Sequence, residues 1–322
     1  EFMKEYIGAP KDKLINLMDP ANPMMSGVVQ NQDSYMKGKI AQRWYYDRID
    51  EILQDCFEEF YRKTGRRYDF LEEHRCEDAE YIIVGMGSYM ETAKTTVDFL
   101  RDEKGIKAGC INVCVFRPFP IKQIVAALKN CKAFTVLERM DDPLSTTGNH
   151  LTREIKAAFC DAINGQNGLE KVDRIPKIYH GAAGLGSRDV RPGDIYACVQ
   201  NMEKDGQHFF CLGIDHPLNL KRAEDPDLRP EGGFSLRTHS VGGFGSVTTN
   251  KVMATIGGEV FGKDVQAYPK YGSEKKGLPT TAYLTIASSH IYMHSELEHV
   301  DLVALVDTTA LQSGNPLKGV VE

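Results

Sequence analysis

"YIIVGMGSYMETAKTTVDFLRDEKGIKAGCINVCVFRPFP" (residues 81–120) decides the fold class. It opens on a short apolar run that ends in glycines, which is the pattern of a buried strand. The segment "YMETAKTTVDFLRDEKG" then sets Thr92, Val97 and Leu100 near one side of an amphipathic helix that closes at Gly105. "KAGCINVCVFRPFP" reads as a second buried strand running into a proline turn. Strand, helix and strand in succession imply a crossover connection and parallel pairing.

The alternation continues outward from this stretch. "IKQIVAALKNC" and "NHLTREIKAAFCDAIN" read as helices, "KAFTVLERM" as a strand, and "KIYHGAAGLGSRDV" as a strand with a glycine-rich turn. "RPGDIYACVQNMEKDG" is a helix with proline in its first turn. Upstream, an irregular stretch rich in Pro and Met precedes "GKIAQRWYYDRIDEILQDCFEEFYRKTG". In this helical pattern Ile49, Ile52, Leu53, Cys56, Phe57 and Phe60 make one apolar stripe, and the helix ends near Gly65. Downstream, "HFFCLGI" reads as a strand, and the charged, proline-rich residues that follow mark a domain boundary. A second series begins at residue 235: strand "SLRTHSV", turn "GGFGSVTTNK", helix "VTTNKVMATIGGEVFG", then strands "DVQAYPKYG", "AYLTIASSHIYM" and "HVDLVALVD". It stops at "SGNPLKGVVE", where the pattern promises more, so this domain reads as unfinished. The expected architecture is α/β, with two open, mostly parallel-sheet domains in tandem. A connector loop and long helix occupy 1–76, the first domain 77–203 and the second 204–322.

Bulk properties narrow the function. With 322 residues the chain is long enough for two domains, and 42% hydrophobic with 26% charged residues is the balance of a globular protein. A formal charge of −6 gives no net basic field for nucleic acid. No apolar run reaches the roughly 18 residues of a membrane span. Glu1 and Phe2 precede Met3, which leaves open an added dipeptide or a chain cut from a longer polypeptide. The absence of a basic-then-apolar leader predicts a cytoplasmic location. The eight cysteines form no C-x-x-C pair, which argues against a zinc ribbon, a redox dithiol or an iron–sulfur cluster and for reduced core residues. His290 and His294 stand at helical spacing without an HExxH carboxylate, so no metal site is expected.

Several stretches carry candidate chemistry. "GGFGSVTTNK", with Gly243 and Gly245, would aim free N–H groups of a helix start at an anion. It matches neither G-x-x-x-x-G-K-[ST] nor G-x-G-x-x-G, because Thr248 stands at the third glycine position. A purely structural turn and an anion site are both open. "KYGSEKKGLPTT" places Lys270, Lys275 and Lys276 between Gly272 and Gly277, with Ser273, Thr280 and Thr281 as hydroxyl donors. Such a loop suits a phosphate-bearing tail, or is only solvated surface. Ser88 and Glu91 are spaced for a capping box, a structural role that explains them. Arg117 stands at a strand's carboxyl end, to meet a ligand or partner or, if buried, to pin an adjoining domain.

Taken in order, these motifs resemble the 2-oxoacid:ferredoxin oxidoreductases. Residues 81–120 are similar to their transketolase-C-terminal-like domain, and "RTHSVGGFGSVTTNKVMATI", "YPKYGSEKKGLPTTAYLTIA" and "VDLVALVD" to the gamma or catalytic domain III that follows it. "LMDPANPMMSG" and "CFEEFYRKTGRRYDFL" resemble the connector into the first of these. The resemblance implies thiamine-diphosphate-dependent oxidative decarboxylation of a 2-oxoacid, pyruvate favoured, with Mg2+, 4Fe–4S iron–sulfur clusters, ferredoxin as acceptor and coenzyme A taking the acyl group. This sequence has no G-D-G…N diphosphate motif and no cluster cysteines, so those parts are implied on other stretches or subunits, in a dimer of the full assembly. The resemblance also implies coenzyme A contacts at Ser273, Lys275, Lys276 and Gly277, beside Gly243 and Gly245, and a subunit or domain interface at Arg117. Three rivals stand beside it: a purely structural module of the complex, an oxalate-type relative that needs no coenzyme A, and a free-standing nucleotide-binding reductase. The strand "DVQAYPKYG" lacks the acidic residue that a ribose wants, which counts against the last.

Overall fold

The computed structural model describes residues 2–14, 18–23, 27, 29–271 and 279–321. They fall into two compact units, Glu1–Asp69 and Phe70–Glu322. In the first unit, helices α1 (Phe2–Ile7), α2 (Tyr35–Ala41), α3 (Arg43–Tyr46) and α4 (Ile49–Thr64) are separated by turns. The single long helix expected over 38–65 is therefore broken at 42 and at 47–48. The physical reason lies in "RWYY": aromatic side chains lose rotamer freedom in a helix, and these find no core, with Trp44, Tyr45 and Tyr46 at 69%, 72% and 64% exposed. Helix α4 keeps Ile49, Leu53, Cys56, Phe57 and Phe60 half-buried but leaves Ile52 exposed, and it ends at Thr64, with Gly65 as its C-cap.

The second unit holds two sheets. The first contains β1 (Leu71–His74), β2 (Tyr81–Gly85), β3 (Ala108–Val113), β4 (Ala133–Glu138), β5 (Lys177–Ala182) and β6 (Phe209–Cys211), in the order β1-β3-β2-β4-β5-β6. Only β1 runs antiparallel to its neighbour. Strand β1 was read as connector; its short, charged sequence LEEH hides a strand that needs only one buried residue, Leu71. Strand β6 also belongs to this sheet, so the sheet spans 71–211. Helices α5 (Tyr89–Asp102), α6 (Ile121–Leu128), α7 (His150–Asn164) and α8 (Pro192–Glu203) cover it in two pairs, α5 with α8 and α6 with α7. Alternation along the strands decides the faces: Ala133 and Leu137 of β4 join α5 and α8 in one core, while Phe134 stacks on Phe159 of α7 at 6.0 Å.

Helix α5 carries no capping box. Ser88 has helical φ and ψ and makes no cap bond, while Glu91 binds Lys94 at 2.8 Å. Gly87 N instead donates to Asn112 Oδ1 at 3.3 Å. A one-sided side-chain cap does occur at α8, where the backbone N–H of Arg191 donates to Asp194 Oδ2 at 3.0 Å.

The second sheet contains β7 (Phe234–Val241), β8 (Asp264–Tyr271), β9 (Pro279–Ala287) and β10 (Leu302–Leu305) in the order β10-β7-β9-β8, with α9 (Ser246–Thr255) after β7. The class is α/β as expected, but the parallel reading of this sheet is corrected: β9 runs antiparallel to both β7 and β8, and only β10 pairs with β7 in parallel. The seven residues between Tyr271 and Pro279 are too few for a crossover of a dozen or more, so β8 and β9 pair as antiparallel neighbours. Pro269 is tolerated because β8 is an edge strand. Buried Arg237 donates to the carbonyl oxygens of Leu297, Pro316 and Lys318, and so ties the last segment to β7. Between the sheets, His294 N donates to Thr92 Oγ1 at 3.0 Å and Glu296 N to Asp189 Oδ2 at 3.1 Å. Arg191 gathers Asp189, Asp225 and Glu298 around one guanidinium. No helix among the described residues is long and apolar enough to cross a membrane.

Candidate functional site

The glycine turn lies at the carboxyl end of β7, where open sheets collect ligands. Gly243 and Gly245 take φ of +106° and +81°, values that glycine reaches without strain, and each has open space where a Cβ would stand. They turn the chain so that α9 begins directly above the sheet. No side chain caps α9, and the N–H groups of Ser246, Val247 and Thr248 have no acceptor among the described residues. The first bond of the helix is Thr249 N to Gly245 O at 2.9 Å. These open donors and the helix dipole give a local positive potential in a chain of net negative charge.

They face a cavity of about 330 Å3, lined by Val241, Gly243, Gly245, Ser246, Thr248 and Thr280 among others. Ser246 is only 7% exposed, and its hydroxyl has no protein partner among the described residues. It was not singled out in the sequence; its position directly after Gly245, at the first residue of a helix, was the available signal. Thr280, one of the expected hydroxyl donors, is brought to the same cavity by register: it pairs with Ser240 of β7 and with Tyr271 of β8.

The cationic segment is only partly visible. Ser273, Lys275, Lys276 and Gly277 lie outside the described residues. Its two attachments do not: Tyr271 closes β8, and Pro279 opens β9 opposite Val241, at the edge of the glycine turn. Lys270 is committed elsewhere, to Glu296 at 2.6 Å. Beside the cavity, His239 is held below the usual histidine range, first by burial and then by the Arg237 charge, and its Nε2 is buried without a partner among the described residues.

Arg117 sits on the other sheet. Its side chain is 58% exposed, bound to Glu154 of α7 at 2.6 Å and stacked over Phe116 at 4.2 Å. Burial therefore does not hold it, and its partner belongs to its own domain. The cysteines are free, and burial pushes the thiols of Cys76 and Cys131 up to about 12. A cluster needs thiolates in one group; these residues do not fit one. Coenzyme A is a different case, since open N–H groups and a hydroxyl are what its phosphates would meet.

Two family descriptions match the second unit: "Pyruvate:ferredoxin oxidoreductase core domain II" over residues 79–195 and "Pyruvate ferredoxin/flavodoxin oxidoreductase" over 235–322. The pyruvate-flavodoxin oxidoreductase of Nostoc sp. is 30% identical over 282 residues, 85% of this chain and 23% of that protein. The pyruvate:ferredoxin oxidoreductase of Moorella thermoacetica is 29% identical over 308 residues, 94% of this chain and 25% of that one. Pyruvate synthase subunit PorA of Methanothermobacter thermautotrophicus is 32% identical over 198 residues, 62% of this chain and 47% of that subunit. The chain thus spans 23% to 25% of the length of the two larger relatives.

Proposed function

This chain belongs to the 2-oxoacid:ferredoxin oxidoreductase family, and from that premise we propose that it supplies the coenzyme A side of the active site in a larger enzyme. That enzyme oxidatively decarboxylates a 2-oxoacid, pyruvate favoured, and passes electrons to ferredoxin in the cytoplasm. The observation that carries the reading is the uncapped start of α9, with the Ser246 hydroxyl in its cavity and both attachments of the lysine segment alongside. Coenzyme A, when bound, supplies the thiol that takes up the acyl group.

The chain's own residues position that cofactor. Backbone N–H groups of Ser246, Val247 and Thr248 and the Ser246 hydroxyl donate to phosphate oxygens. Lys275 and Lys276 neutralise the remaining phosphate charge, Ser273 adds a hydroxyl, and Gly277 lets the backbone approach closely. Gly243 and Gly245 set the turn that aims these donors. Arg117 serves the interface with other domains or subunits of a dimeric assembly. Thiamine diphosphate with Mg2+ and the 4Fe–4S clusters belong to the rest of the enzyme, because this chain's cysteines do not fit a cluster.

Equilibrium titration of coenzyme A into the assembled enzyme tests the reading. Lys275→Ala with Lys276→Ala should weaken binding by roughly tenfold or more, the scale of lost charge-assisted contacts. Unchanged affinity would leave the chain a structural module only.

A further inference from the structure

The first sheet contains a second crevice, made by its topology. Strand β2 leads from its carboxyl end into α5 on one face, and β4 leads into α7 on the opposite face. The connections part between these two adjacent strands, which is the switch point where open α/β sheets hold ligands. A cavity of about 290 Å3 occupies that place. Met86, Phe116, Met140 and Leu151 give it an apolar wall, and exposed Arg139 and His150 stand at its mouth.

The charges select the ligand. Arg139 spends its Nε on the Gly184 carbonyl at 3.2 Å, and its other guanidinium nitrogens have no partner among the described residues. Arg117, next to Phe116, is already paired with Glu154. The α7 N-terminus offers no anion site, because buried Glu138 accepts from Leu151 N at 2.6 Å, Thr152 N at 3.3 Å and Thr152 Oγ1 at 2.7 Å. That carboxylate also lines the cavity and repels a polyanion. One guanidinium with two nitrogens still open above an apolar wall, and a carboxylate in the lining, suits a single negative charge on an apolar body.

We propose that this switch-point crevice binds a small monocarboxylate with an apolar or aromatic body, its carboxylate on Arg139 and its body against Met86, Phe116 and Met140. The site lies on a different sheet from the cavity at α9, so this inference and the coenzyme A reading stand or fall separately.

The test uses the full chain, 13C-methyl methionine NMR and 3-phenylpropionate as probe, with 3-phenylpropan-1-ol as its uncharged counterpart. The acid should shift the Met86 and Met140 methyl resonances saturably and bind roughly tenfold more tightly than the alcohol, the scale of one charge-assisted contact. Arg139→Gln should abolish that preference and leave alcohol binding unchanged. Met140→Trp should fill the crevice and stop both. Arg139 is exposed, so its variant stays folded and decides the matter even where the tryptophan variant does not. Absence of any shift overturns the proposal. Equal binding of acid and alcohol, or acid binding indifferent to Arg139→Gln, overturns it as well.

Discussion

Ser246 shows how much one residue carries at the proposed coenzyme A site. Ser246 is 7% exposed as a residue, and its hydroxyl, which makes no hydrogen bond among the described residues, is free to meet a ligand in the cavity. Ser246→Ala should therefore raise the coenzyme A KM of the complete enzyme roughly threefold to tenfold, the scale of one hydrogen bond to a charged group. The chain's urea midpoint should stay in place or rise slightly. A fall in the midpoint with no change in KM would show the hydroxyl to be structural. Ser246 was missed in the sequence because a serine after glycine reads first as a helix start, and only the third dimension shows its hydroxyl without a partner among the described residues. Glu138 was missed for a related reason: it ends the apolar strand "AFTVLE", and its partners lie 13 and 14 residues onward.

At the scale of elements, the parallel sheet was legible because each of its central strands is a compact apolar run fenced by glycine, proline or an amphipathic helix. Burial on both faces forces that pattern, as the near-complete burial of β2, β3 and β4 shows. The edges were less legible. Strand β1 buries one residue fully, so its charged sequence looks like linker. In the second sheet the strands were found, but their directions were not, since alternation does not record direction; loop length does, and "SEKKGLPTT" was short enough to decide it. The expected cap at Ser88 failed because the matching spacing of Ser and Glu says nothing of Lys94, which takes Glu91 for itself. The break in the long helix follows the same logic: the apolar stripe was read only from Ile49 onward, and the "RWYY" aromatics before it stay exposed among the described residues.

At the scale of the whole molecule, two half-buried histidines set a pH dependence. His180, first through burial and then through the Lys156 charge, and His239, first through burial, are both held below the usual histidine range. The unfolded chain takes up these protons near pH 6.5, the folded chain only at lower pH, so their contribution is complete above about 6.5 and is lost as pH falls through the folded values. The denaturant midpoint should drop between pH 7.5 and pH 5.5; a flat or rising midpoint over that interval would contradict the burial of neutral imidazoles. The proposed reading is a division of labour: two linked open sheets would hold and aim a phosphate-bearing cofactor, while the chemistry of decarboxylation would reside in the rest of the enzyme. The most direct measurement compares, in the complete enzyme carrying Lys275→Ala and Lys276→Ala, the KM for coenzyme A with the rate of carbon dioxide release in the half-reaction before coenzyme A enters. A raised KM with nearly intact carbon dioxide release is the predicted result, and equal damage to both steps would contradict it.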